Sequence, residues 1–322
     1  MISAVVTAET AESFRVVEGR ADAGIVLLCD HASNALPAEL GTLGLQEHEL
    51  RRHIAYDIGA EAITERLAKR LGAPAVLSRF SRLLIDINRG ADDPTLIMRL
   101  SDGAVVPGNQ CLSPEQRDAR IARYWRPYHD AAGRVIAACR DAGPPPVIFS
   151  VHSMTHVWKG VQRPWQVSIL WNEDSRLAGA LLEAFRTNRH LTVGDNEPYH
   201  GGLEGDTLWQ HARPYGLASV VIEYRQDLVA DRRGQDHWAD VTADILERII
   251  PTARQPYQKS ALPNGASYGE ARSEDANRTG SGRVSSVSRT SARADRRTEH
   301  RPDEPGRVLP QLPEQLDAGS GG

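Results

Sequence analysis

The chain has 322 residues, of which 40% are apolar and 25% charged, with a formal net charge of -4 at neutral pH. That composition suits a globular protein with an ordinary core, and with no sustained basic run before residue 250 it excludes an electrostatic footprint for nucleic acid or an anionic membrane. No apolar run reaches the roughly 18 residues needed to span a bilayer. No signal peptide is expected, because the first residues lack a basic start ahead of an apolar core, and Cys29, Cys111 and Cys139 are too scattered for a disulfide framework. The expectation is a cytoplasmic protein that acts on a small molecule.

In chain order, the first β-rich run is "IVLLC", residues 25–29, and it leads directly into Asp30, His31, Ser33 and Asn34. Residues 46–71 carry apolar positions Leu50, Ile54, Ile58, Ile63, Leu67 and Leu71 at helical spacing, closed by Gly72 and Pro74. That helix would present His53 and Asp57 as an i,i+4 pair on one face. "LLIDI", residues 83–87, reads as a second strand, and residues 90–110 as a long connection of the kind that covers a site. Ser113 and Pro114 supply the N-cap and first position of a helix that runs to Gly143. Strands follow at 147–151, 166–170 and 219–223, with helices at 175–186 and 238–250. Alternating strands and helices predict an α/β fold: a three-layer α/β/α sandwich with a mainly parallel mixed sheet, phosphorylase/hydrolase-like. Residues 1–251 are expected to form one domain. Residues 252–322, rich in Arg, Ser, Asp and Gly, are expected to form a disordered tail.

Polar groups at strand ends carry the chemistry, because open α/β sheets bind ligands outside the carboxyl ends of their strands. His31 follows the first strand, His152 follows "VIFSV" and Glu223 closes "SVVIE", a set suited to a metal hydrolase. The third metal ligand is expected to be Asp57 in preference to His53, with Asn34 as a weak carbonyl ligand or an orienting group. "SRLLIDINRG" delivers Arg82, Asp86, Asn88 and Arg89. A guanidinium there can take a carboxylate bidentately or can pair with Asp86.

Taken in order, "CDHASNALPAELGTLGL", "HIAYDIGA", "SRLLIDINRG", "VHSMT" and "VVIEYRQDL" resemble the N-formylglutamate amidohydrolase family, which is similar in fold to the zinc carboxypeptidases and aspartoacylases. The resemblance implies that Asn88 and Arg89 hold a substrate carboxylate and that Glu223 is the general base. Where those relatives use His-x-x-Glu, this chain has His31-Ala-Ser-Asn34. The implied reaction is metal-assisted hydrolysis of an N-formyl or other N-acyl amino acid to formate, or another acid, and the free amino acid. The metal, Zn2+ or another divalent ion, would be held by His31, Asp57 and His152, with Arg82, Arg225 and His211 as candidate donors to the oxyanion. The alternatives are a deacylase or carboxypeptidase-like hydrolase of another amide, or a silent carboxylate-binding protein.

Overall fold

The computed structural model describes residues 12–255, which lie in one compact unit. The expectation for the tail falls, beyond residue 255, outside the described residues. Seven strands form the central sheet: β1 (Phe14–Val17), β2 (Ile25–Cys29), β3 (Ala75–Ser78), β4 (Val147–Met154), β5 (Val167–Leu170), β6 (Val193–Asp195) and β7 (Ser219–Arg225), in the order β1-β3-β2-β4-β7-β5-β6. β3, β2, β4 and β7 run parallel, β5 and β6 are parallel to each other but antiparallel to β7, and β1 closes the other edge antiparallel to β3.

The central strands are buried on both faces, which is why they read as continuous apolar runs. Ile25, Leu27 and Cys29 of β2 enter one core cluster, and Val26 and Leu28 enter another on the opposite face. Among the described residues, six α-helices complete the layers: α1 (Ala60–Leu71), α2 (Pro114–Arg120), α3 (Arg126–Asp141), α4 (Ser175–Arg186), α5 (Thr207–His211) and α6 (Arg232–Ala253). α1, α4 and α6 supply the first cluster, and α3 covers the second with Tyr128, Ala131, Ala132 and Ile136. The expected α/β sandwich with a mixed, mostly parallel sheet is the observed fold.

Two expected elements differ. The helix read over residues 46–71 begins only at Ala60; a single 3-10 turn, Glu49–Arg51, stands where its first half was expected. Gly59 blocks its extension. It sits at φ 82°, and a Cβ there would meet the Val229 carbonyl at 2.4 Å, so the chain turns sharply at that point. His53 and Asp57 therefore share no helix face. The strand read at residues 83–87 is a series of turns. Ser81 Oγ accepts the Leu83 N–H, Asp86 Oδ1 accepts the Asn88 N–H, and the Asp86 N–H reaches Leu96 O. Local side-chain acceptors replace a ladder, while Leu83 and Leu84 bury in different clusters.

Candidate metal and catalytic site

The site lies at the carboxyl ends of β2, β4 and β7. His31 follows β2 by one residue beyond Asp30, and His152 lies within β4, paired in register with Glu223 of β7. Asp57 arrives from the turn ahead of α1, fixed by its own N–H on the His31 carbonyl at 3.0 Å. His31 Nδ1 is 3.3 Å and His152 Nδ1 is 2.8 Å from Asp57 Oδ2. The imidazoles meet edge to face, with centroids 4.9 Å apart. These three buried residues can each offer one ligand atom, and the atoms all lie within 4.8 Å of one another.

Whether this donor set suits a cation is decided by the far side of each ring. His31 Nε2 is 2.7 Å from Asp86 Oδ1, and His152 Nε2 is 3.1 Å from Asp30 Oδ2. An Nε2–H donated to a carboxylate would leave the Nδ1 of each ring, on the Asp57 side, to take an ion, the arrangement that orients metal-binding histidines. The chemistry of the donor set thus fits a divalent ion.

Burial by itself would raise Asp57, but His31 and His152 beside it hold its carboxyl far below the usual carboxylate range. Against the same opposing burial, Arg82 and His31 hold Asp86 well down, and the His152 contact lowers Asp30 to about 2. The site therefore concentrates negative charge around two imidazoles, a setting that favours a cation. Glu223 behaves differently. Its Oε2 is buried without a hydrogen-bond partner among the described residues, and burial, reinforced by Asp57, pushes its carboxyl up to about 7.

A cavity of about 450 Å³ opens over this group and is lined by His31, Asp57, His152 and Glu223 together with Arg82, Asn88 and Arg89. The alternative of an Arg89–Asp86 pair does not form among the described residues. Asp86 is taken by Arg82 at 2.7 Å and by His31, while the Arg89 Nη1 hydrogen bond goes to Asn88 O at 3.1 Å. α3 and the turn that precedes it hold this loop from behind, with Trp125 Nε1 donating to Arg89 O at 2.9 Å and His129 Nε2 lying 3.1 Å from Ile87 O. Asn88 Oδ1 accepts the Thr207 N–H at 3.1 Å.

Several expected residues stand elsewhere. His211 does not line the cavity; its Nε2 pairs with His129 Nδ1 at 2.9 Å. Arg225 closes β7 but turns to Asp227 at 2.8 Å and to the Arg163 carbonyl at 3.1 Å. Asn34 spends its amide on Leu50 O at 2.8 Å. His53 lines the cavity outside the donor cluster, with Nε2 3.4 Å from Asp102 Oδ2. The connection at residues 90–110 supplies none of the lining residues. It packs back through buried Leu96, Val106 and Asn109, whose amide donates to Leu83 O and Met98 O.

The walls come instead from a hairpin, Val157–Trp158 with Val161–Gln162, and from the segment leading to α5, which add Trp158, Arg163, Tyr199 and Asp206. Burial raises Asp206, the N-cap of α5, to about 6. Sequence reasoning passed over these residues, and over Asp30 and Asp86 as imidazole partners. For Asp30, its place one residue before His31 at a strand end was the available signal. Arg163 carries none.

The family model described as N-formylglutamate amidohydrolase matches residues 23–230. Among solved structures, the chain is similar to gene product Atu2144 from Agrobacterium tumefaciens, with 35% identity, a TM-score of 0.69, and coverage of 76% of this chain and 95% of that one. It is also similar in fold to the N-formylglutamate amidohydrolase from Ralstonia eutropha JMP134, with 20% identity, a TM-score of 0.60, and coverage of 75% of this chain and 98% of that one. Comparison with curated proteins gives no significant match. No helix among the described residues is long and apolar enough to cross a membrane.

Proposed function

Because the chain belongs to the N-formylglutamate amidohydrolase family and is a hydrolase acting on amides, we propose that it cleaves the amide of an N-acyl amino acid, with N-formylglutamate as the first candidate, to formate and the free amino acid. The observation that carries this reading is the convergence, in one cavity, of the His31, Asp57 and His152 donors with Glu223 and with the Asn88–Arg89 loop. A divalent ion held by the first three, zinc being the best match to two imidazoles and a carboxylate, would supply Lewis acidity toward the scissile carbonyl and lower the pKa of a water toward about 7.

The chain's own groups account for the rest. Arg89 offers a guanidinium fork, and Asn88 an amide N–H, to the α-carboxylate of the amino acid. Glu223, whose buried Oε2 has no hydrogen-bond partner among the described residues, takes the proton of the attacking water and returns it to the amide nitrogen as the C–N bond breaks. Arg82 faces the same space while bonded to Asp86 and 3.6 Å from Asp57, so it holds the ligand carboxylate in place and offers a donor to the oxyanion. We assign the reaction to the cytoplasm, since Cys29, Cys111 and Cys139 are all free thiols.

The test is formate release from N-formylglutamate by purified, metal-supplemented protein, alongside N-acetyl and N-succinyl amino acids. Release of formate at a rate that scales with enzyme supports the reading. Turnover of none of these compounds removes it.

A further inference from the structure

Arg163 follows the hairpin that walls the cavity and is only 6% exposed. Its backbone is fixed at both groups: the N–H bonds His156 O at 2.9 Å and the carbonyl accepts from Arg225 Nη1 at 3.1 Å. The guanidinium stacks over the rings of Trp158 and Tyr199, with centroids 5.7 and 5.0 Å away, and donates to the Tyr199 hydroxyl. No acidic side chain among the described residues forms an ion pair with it.

Arg120 is equally buried but explains itself, since its guanidinium donates to Leu84 O, Asn109 Oδ1 and Gly108 O. Arg82 has Asp86 and Asp57. Among the described residues Arg163 has a phenol, two aromatic faces and most of its donors unspent. Removing a charge from water without a counter-ion is unfavourable, so its cavity-facing position calls for an anion from outside. A second observation falls beside it. His53 lines the same cavity next to Trp158, with ring centroids 6.2 Å apart, and its buried Nε2, 3.4 Å from Asp102 Oδ2, makes no hydrogen bond among the described residues.

We propose that Arg163, with His53 beside it, binds a second anionic group of the substrate, the side-chain carboxylate of an acidic amino acid, and so selects N-acyl derivatives of acidic residues over neutral ones. This assignment rests on the N-acyl amino acid reading of the site. Arg89 would then hold one carboxylate and Arg163 the other, both lining the cavity that the donor cluster lines.

The experiment compares kcat/KM of the metal-supplemented full chain for N-formylglutamate and N-formylglutamine, with Arg163→Gln and Arg163→Lys alongside. Calorimetric binding of the products glutamate and glutamine gives a reading that needs no turnover. The wild type should prefer the acid at least tenfold. Arg163→Gln should reduce that preference by about tenfold to a hundredfold, mainly through KM, as expected for the loss of a charge-assisted hydrogen bond. Arg163→Lys should reduce it less, because charge remains without the fork; it also serves if the Gln variant does not fold. Glutamate should bind more tightly than glutamine to the wild type but not to Arg163→Gln. An acid-to-amide ratio unchanged between wild type and variants, or a wild type indifferent to the side-chain charge, overturns the proposal. Failure to hydrolyse any N-acyl amino acid removes the proposed function instead, and the binding ratio then still decides the role of Arg163.

Discussion

His31 and His152 each turn one ring nitrogen to Asp57 and the other to a carboxylate, an arrangement that suits the metal-ligand role proposed for them. Replacing His152 with Ala removes one of the three proposed ligands and should leave less than a tenth of the wild-type metal content after dialysis, measured by elemental analysis; full occupancy would remove His152 from the ligand set. Glu223→Gln should retain fold and metal yet lower kcat about a hundredfold or more, the contribution of a positioned proton-transfer group. Near-normal turnover in that variant would place the base elsewhere. Arg89→Lys keeps charge but loses the two parallel bonds of the fork, so kcat/KM should fall about tenfold to a hundredfold. The loss should be confined to substrates with a free α-carboxylate, and an equal loss on the α-amide would assign Arg89 a structural role. His31, His152 and Glu223 were legible in the sequence because each sits where an apolar run ends. His211 and Arg225 were equally close to β7 in the sequence, but side-chain pairing, which spacing does not report, sends them to His129 and Asp227.

At the scale of elements, the loop bearing Asn88 and Arg89 is held by a helix that changes pitch. α2 passes through a π turn, Ile121–Trp125, into α3, and such turns re-aim side chains at functional sites. Here the re-aimed helix presents Trp125 and His129 to the loop carbonyls. His129 provides a pH test of this packing. Burial, and then His211 against it, lowers His129 from 6.5 to about 3. Above pH 6.5 both folded and unfolded chains hold it neutral. As pH falls from 6.5 toward 3 the unfolded chain binds a proton that the folded one refuses, so stability is lost over that window. His129→Gln keeps a donor for Ile87 O but does not titrate, so the Tm gap between wild type and variant should narrow between pH 7 and pH 4. A gap independent of pH would show that the ring is not buried neutral. None of this was visible in the sequence of residues 83–87, whose apolar run reads as a strand. Only the acceptors on Ser81 and Asp86 turn it into a loop.

For the whole molecule, the alternation of strands and helices was enough to give the layers and the mainly parallel sheet, because buried parallel strands must be apolar on both faces. The edge strands β1 and β6 and the inner strand β3 were too short to stand out. The same sheet brings His31, His152 and Glu223 to one edge, so the fold and the chemistry meet there. The measurement closest to the central claim is a metal titration of one preparation of the full chain, stripped by a chelator and resupplied with zinc, with formate release from N-formylglutamate followed throughout. The account predicts activity that vanishes on stripping and returns in proportion to bound ion, saturating at about one per chain. Full activity in the stripped protein would contradict it.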